Sequence, residues 1–289
     1  MLRQLLNSSE RATFHVLCGT IAEEEARVFA KPRIADVLQD QSCLTASELS
    51  FALKAHFDFV VTDNETRPLF VVEFDGPSHS NPKQMRRDRI KDALCARFNL
   101  ALLRINHRYL APNFRETTLL YYFVQCWFLS KIVEEAQANG ALPEDELFDP
   151  AWIASDGRSD KPFPLFLAYG LEEKLALFNS ERGASSSLCY WIGTDPRERY
   201  RCIAWIRSSA DEFLVIETGM RSQQFPVDVA SLLPELAAIE MCKLIDVPNL
   251  RKQQRLSRSE LELKLRQYRS GFNFCACRMH GLPSGYVSP

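Results

Sequence analysis

The chain has 289 residues, 46% of them hydrophobic and 25% charged, a globular composition long enough for two modest domains that each bury a core. Lys and Arg (35) nearly balance Asp and Glu (37), for a net charge of −2. No bulk charge therefore draws the chain to nucleic acid, and any such binding must rest on local basic patches. Nine cysteines without framework spacing read as reduced thiols of a cytoplasmic protein. Ser8, Ser9, Glu10 and Arg11 interrupt the apolar start that a secretory signal requires.

In chain order, a first helix is expected from Ser8 or Ser9, either of which can cap it, with Phe14, Leu17 and Ile21 on one face. Residues 27–31 read as a short strand and residues 36–48 as a polar, irregular stretch. Residues 57–62 and 69–74, rich in Val and Phe, bracket an NETRP turn and predict a β-hairpin. Residues 83–98 turn helical, with Ile90, Leu94 and Phe98 at four-residue intervals, and residues 100–105 form another apolar strand. The uncharged run TTLLYYFVQCWFLS (117–130) is shorter than the roughly 20 apolar residues of a spanning helix, so a buried core helix is expected and no membrane role.

Residues 141–164 are rich in Pro, Asp and Ser, the composition of a boundary. Beyond them, residues 188–192, 201–206 and 213–218 read as strands, and 227–244 and 251–269 as helices. The expected organisation is an α/β domain over residues 1–140, a linker over 141–170 and an α+β domain over 171–289.

The chemistry concentrates in the hairpin. If it turns about Glu65 and Thr66, opposed residues have numbers summing to 131, and Asp58 lies opposite Glu73. Opposed residues of an antiparallel pair project to one face about 5 Å apart, and Asp75, two positions beyond Glu73, joins them. Phe57, Phe59, Val72 and Phe74 take the other face. Convergent carboxylates need shared protons, basic neighbours or a cation, and an oxygen-rich set suits Mg²⁺ or Mn²⁺. The following helix supplies Lys83, Arg86, Arg87, Arg89 and Lys91, with Arg87 and Lys91 on one face. His79 suits a phosphate, a bound water or a turn cap.

The runs FDFVV, VVEFDGPSH, RRDRIKDAL and LALLRIN, in this order, resemble the PD-(D/E)XK nuclease superfamily. The likeness is to the branch similar to very-short-patch-repair endonucleases and to the domain of unknown function 2726, and it covers roughly residues 8–130. It implies a restriction-endonuclease-like core: a helix, a mixed sheet with a central hairpin, a helix and a strand. It further implies a metal-dependent nuclease acting on nucleic acid, DNA in preference, with repair, restriction and antiviral defence as its settings. By position, Asp58 corresponds to the first metal-binding aspartate and Glu73 to the second acidic ligand. Asp75 stands where a lysine is usual; some relatives supply that charge from the next helix, which nominates Lys91 first and Arg87 second. Glu10 resembles an accessory acid that some members add. A nuclease-fold module without turnover is the alternative, and a C-terminal domain that selects substrate or a protein partner fits either.

Two further signals stand outside the likeness. Cys275, Cys277 and His280, with Cys242, bring soft ligands near one another, but the spacing fits no standard zinc module and no zinc is expected. Residues 251–269 carry seven basic and two acidic residues, suited to a nucleic-acid backbone or to a solvated helix face.

Overall fold

The computed structural model describes residues 4–76, 82–112, 117–150, 167–168, 170–180, 188–209, 211–247 and 254–279. The chain divides into two compact units, Met1–Asp149 with Gln223–Pro226, and Pro150–Ser222 with Val227–Pro289. The fold class is mixed α/β, with a mixed four-stranded sheet in one unit and an antiparallel sheet in the other.

The first unit begins with α1 (Ser8–Thr20), and its cap is Asn7 rather than either serine. The Asn7 side chain accepts the Glu10 N–H while the Glu10 carboxylate accepts the Asn7 N–H, a reciprocal box that satisfies two otherwise orphaned donors. Strand β1 (Ala26–Ala30) follows. The stretch expected to be irregular contains two short helices, α2 (Ile34–Val37) and α3 (Ala46–Ala52), the latter held by a Thr45–Glu48 capping box. The hairpin strands β2 (Phe59–Asp63) and β3 (Pro68–Phe74), the helix α4 (Pro82–Arg97) and the strand β4 (Ala101–Ile105) complete the sheet, in the order β1-β2-β3-β4. Strand β3 pairs antiparallel with β2 and parallel with β4, the crossover running through α4.

Nearest the turn, Thr62 pairs with Pro68, one residue off the expected register. Leu69 is then the extra residue of a bulge, and from Val61–Phe70 to Phe59–Val72 the paired numbers follow the expected sum. One sheet face packs on α2, α3 and α4 through Val60, Val71, Leu94, Cys95 and Leu102. Phe57, expected on the opposite face, belongs to this cluster because it precedes β2 and escapes the strand alternation. The other face meets α1 and the long helix α6 (Leu119–Ala138), with Phe59 against Phe14 and Phe70 against Trp127. A one-turn helix, α5 (His107–Leu110), precedes α6. Among the described residues no helix is long and apolar enough to cross a membrane.

Four residues from far along the chain complete this unit. Gln223 accepts the Arg104 N–H at 3.1 Å and donates to the Arg104 carbonyl at 2.9 Å, bonding to β4 as a strand would. Phe225 packs edge-on against Phe70.

The second unit holds α7 (Leu171–Ser180), the strands β5 (Cys189–Thr194), β6 (Arg199–Arg207) and β7 (Glu212–Arg221), and α8 (Val229–Asp246). The single helix expected over 251–269 is instead strand β8 (Arg255–Ser257) and helix α9 (Arg258–Gly271), divided where Ser257 and Glu260 form a capping box. Strand β9 (Asn273–Arg278), not anticipated, closes the sheet as β8-β7-β6-β5-β9. Helix α9 seals one face by packing Leu261 and Leu265 onto Trp191, Ile203, Trp205 and Val215.

Phe225→Ala is expected to destabilise the first unit by about 3 kcal/mol through the cavity left beside Phe70. Gln223→Ala should cost about 1–3 kcal/mol by leaving the Arg104 peptide groups unsatisfied. Urea unfolding followed at aromatic fluorescence checks both.

Candidate functional site

The expected meeting of Asp58 and Glu73 is present at the open end of the hairpin. Asp58 lies one residue before β2, and its N–H donates to Glu73 Oε1 at 3.1 Å, while its Oδ2 accepts the Phe74 N–H at 2.9 Å. Two carboxylates therefore sit side by side, each bonded to backbone near the other.

Each is matched by a lysine. Lys91 of α4 reaches Glu73 with Nζ at 2.7 Å from Oε1 and 2.6 Å from Oε2. Both side chains are buried, Glu73 4% and Lys91 7% exposed. Burial lifts the Glu73 carboxyl to about 7, against the pull of the Lys91 ammonium, and the neighbouring Asp58 charge adds to the rise. Lys31 bridges Asp58 Oδ1 at 2.6 Å and Glu10 Oε1 at 2.7 Å. Partial burial opposes the Lys31 charge, but Asp58 and Glu10 outweigh it and hold the ammonium above its ordinary pKa. Glu10 is thus both a helix-capping acid and a member of the site.

The backbone at Lys31 has φ of 57°, the left-handed region that side chains with a Cβ seldom occupy. Its N–H donates to the Asp58 carbonyl at 2.9 Å, which ties the unusual residue directly to the acid it faces.

Asp75 is held by an arginine. It lies just past β3, and its Oδ1 accepts from Arg104 Nη1 at 3.0 Å. Arg104 stands opposite Glu73 in the parallel register, with its side chain only 4% exposed. Its guanidinium also contacts Asp92 at 2.7 Å and the Asp88 carboxylate at 3.7 Å. Burial works against this charge, yet Asp75 and Asp92 hold it above its ordinary range. Arg104 supplies positive charge beside Glu73.

Of the two nominated helix cations, Lys91 reaches the acids, whereas Arg87 is exposed. Arg87 lies one turn earlier on the same face of α4, before the turns that are buried at Lys91, Leu94 and Cys95. Lys83, Arg86 and Arg89 are likewise exposed. His79 lies outside the described residues, as does His280 of the candidate zinc group. Lys31 and Arg104 join the site without having been singled out. Arg104 does carry a sequence signal: a charge within an apolar strand needs a buried partner.

Among the described residues, Glu10 and Asp58 pair with Lys31, Glu73 with Lys91, and Asp75, Asp88 and Asp92 with Arg104. The all-oxygen donors of these carboxylates are of the type a hard divalent ion takes. Among the described residues no group of three or more His, Cys, Asp or Glu forms a ready ligand set. At Asp58 and Glu73 the Lys31 and Lys91 ammonium groups balance the carboxylate charge.

Residues 2–117 match the family described as Protein of unknown function (DUF2726), so a domain of that family covers α1 to α5 and contains every residue of this site. No curated protein and no solved structure matches the chain.

The Glu73 carboxyl has a folded pKa of about 7, above its reference value of 4.5. Between those values the folded protein keeps a proton that the unfolded chain has released, so this group lowers stability as pH rises through the window. Replacing the pair by neutral isosteres, Glu73→Gln with Lys91→Met, should remove that slope. Urea midpoints of wild type and double variant at about pH 5 and about pH 8 test this, and a constant difference between them would contradict it.

Proposed function

We propose that the first unit is a nuclease of the PD-(D/E)XK type, hydrolysing phosphodiester bonds of nucleic acid, DNA in preference, with Mg²⁺ or Mn²⁺. The observation that supports this reading is the side-by-side placement of Asp58 and Glu73 with the Lys91 ammonium on Glu73. Asp58 and Glu73 would hold the ion, which supplies Lewis acidity and an acidified water when bound. Lys91 takes the part of the lysine that the motif usually carries two residues after the glutamate. Drawn from Glu73 toward substrate, its ammonium stabilises charge developing on the phosphate. Arg104 fixes Asp75 and keeps positive charge beside Glu73. Lys31 orients Asp58 and Glu10, and it balances their charge while no ion is bound.

A module of the same fold without turnover is the second reading. It is favoured by one observation: Lys91 contacts both oxygens of Glu73.

Single- and double-stranded DNA and RNA incubated with the purified chain distinguish the two. Cleavage is expected with Mg²⁺ or Mn²⁺ and none in EDTA. Asp58→Asn should lower the rate at least about a hundredfold, and Lys91→Met by about 10²–10³. Intact substrate under every ion condition supports the module instead.

A further inference from the structure

The second unit carries a surface that the hydrolytic reading does not use. On the sheet face covered by α9, Arg199 of β6 stands directly opposite Arg221 of β7. Like charges opposed across a sheet are destabilising, and both residues are exposed. Arg201, two residues along β6, shares their face and is also exposed. It is paired with Gly219, where a Cβ would meet the Tyr200 carbonyl oxygen at 2.6 Å and the Arg201 Cδ at 2.9 Å, so the Arg201 side chain lies across the glycine. Three guanidiniums thus gather at one end of the β6–β7 ribbon. Acids lie among them: Asp195 pairs with Arg199, and Glu217, near Arg201, bonds to Lys264 and Tyr268.

The same row of the sheet runs from Gly219 through Arg201 and Gly193 to Phe274 of β9. Phe274 is 49% exposed and leans on Trp191, with ring centroids 6.2 Å apart. Behind it Trp191 meets Tyr268, and Tyr268 meets Phe272, so the exposed ring is backed by a packed aromatic layer. An exposed, supported aromatic beside clustered guanidiniums offers one surface for a base and another for phosphates. A base can stack on the ring only when it is free of its own duplex neighbours.

We propose that this end of the α9 face, formed by Arg199, Arg201, Arg221 and Phe274, binds single-stranded nucleic acid. The guanidiniums engage successive phosphates and Phe274 stacks on a base. The site does not depend on hydrolysis in the first unit, and binding persists in the absence of divalent ions.

Fluorescence anisotropy of the full chain in EDTA tests this, with fluorescein-labelled oligo-dT and oligo-rU of about 20 nucleotides and a duplex of equal length, across a range of NaCl. Single strands are expected to bind more tightly than the duplex. Arg201→Gln with Arg221→Gln should weaken binding about tenfold or more and flatten the log–log salt slope by about 1.4. Phe274→Ala should weaken it about fivefold or more without changing that slope. Phe274→Leu, which preserves apolar bulk, should weaken it as well, and circular dichroism checks that each variant is folded. Asp58→Asn should bind like wild type, which separates this surface from the first unit's chemistry. Unchanged affinity in the arginine and phenylalanine variants would overturn the proposal. So would equal binding of duplex, or a silent Phe274→Ala with heparin competing as well as single strands; the latter marks a surface that reads only negative charge.

Discussion

A carboxylate taken almost wholly out of water must be met by positive charge or hold its proton, and the first unit is arranged around that constraint at Glu73. Glu73 lies on β3, which has a neighbour on each side. The antiparallel neighbour brings Asp58 to it, and the parallel neighbour brings Arg104. The crossover needed to make β4 parallel is α4, and α4 delivers Lys91. The turn of α4 that faces the sheet is then committed on two fronts. Lys91 points to Glu73, while Asp88 and Asp92, four residues apart and so on one helical face, close on Arg104. Sheet order, helix position and charge balance are therefore one arrangement.

Much of this was legible in the residues, for identifiable reasons. The strands of the hairpin and the helix after it are strongly patterned, and a period-two strand fixes which acids share a face. The expected pairing of Asp58 with Glu73 assumes a turn about Glu65 and Thr66; the pairing nearest the turn is one residue off that register, and the bulge at Leu69 restores it before the acids are reached. Nothing local foretells that bulge. Lys31 was not legible because its role depends on a left-handed backbone and on partners 21 and 27 residues away. The commitment of Asp75 to Arg104 also depends on tertiary contact, since the two meet only when β3 and β4 pair. Cap positions slipped by one residue because Asn7, Ser8 and Ser9 are all competent caps, and only Asn7 stands three residues before Glu10.

The nearly neutral net charge conceals strong local differences. One unit pairs a group of carboxylates with Lys31, Lys91 and Arg104; the other sets three exposed guanidiniums at one end of its sheet. Bulk charge averages the two away, so it is a poor guide to what either surface attracts. The basic segment around residues 255–269 reads differently once folded. Its apolar stripe is spent on sealing a sheet, and its capping box divides it from the strand before it.

The four residues Gln223–Pro226 have a consequence for how the protein is made. Domains generally fold as units while the chain emerges from the ribosome. Here the first unit cannot finish when its own long stretch has been synthesised. The Arg104 peptide groups and the side of Phe70 wait for Gln223 and Phe225, which arrive only after β5, β6 and β7 have been made. The order of translation thus sets the order of completion. The site holding the buried carboxylate acquires its last support only after three strands of the other unit exist.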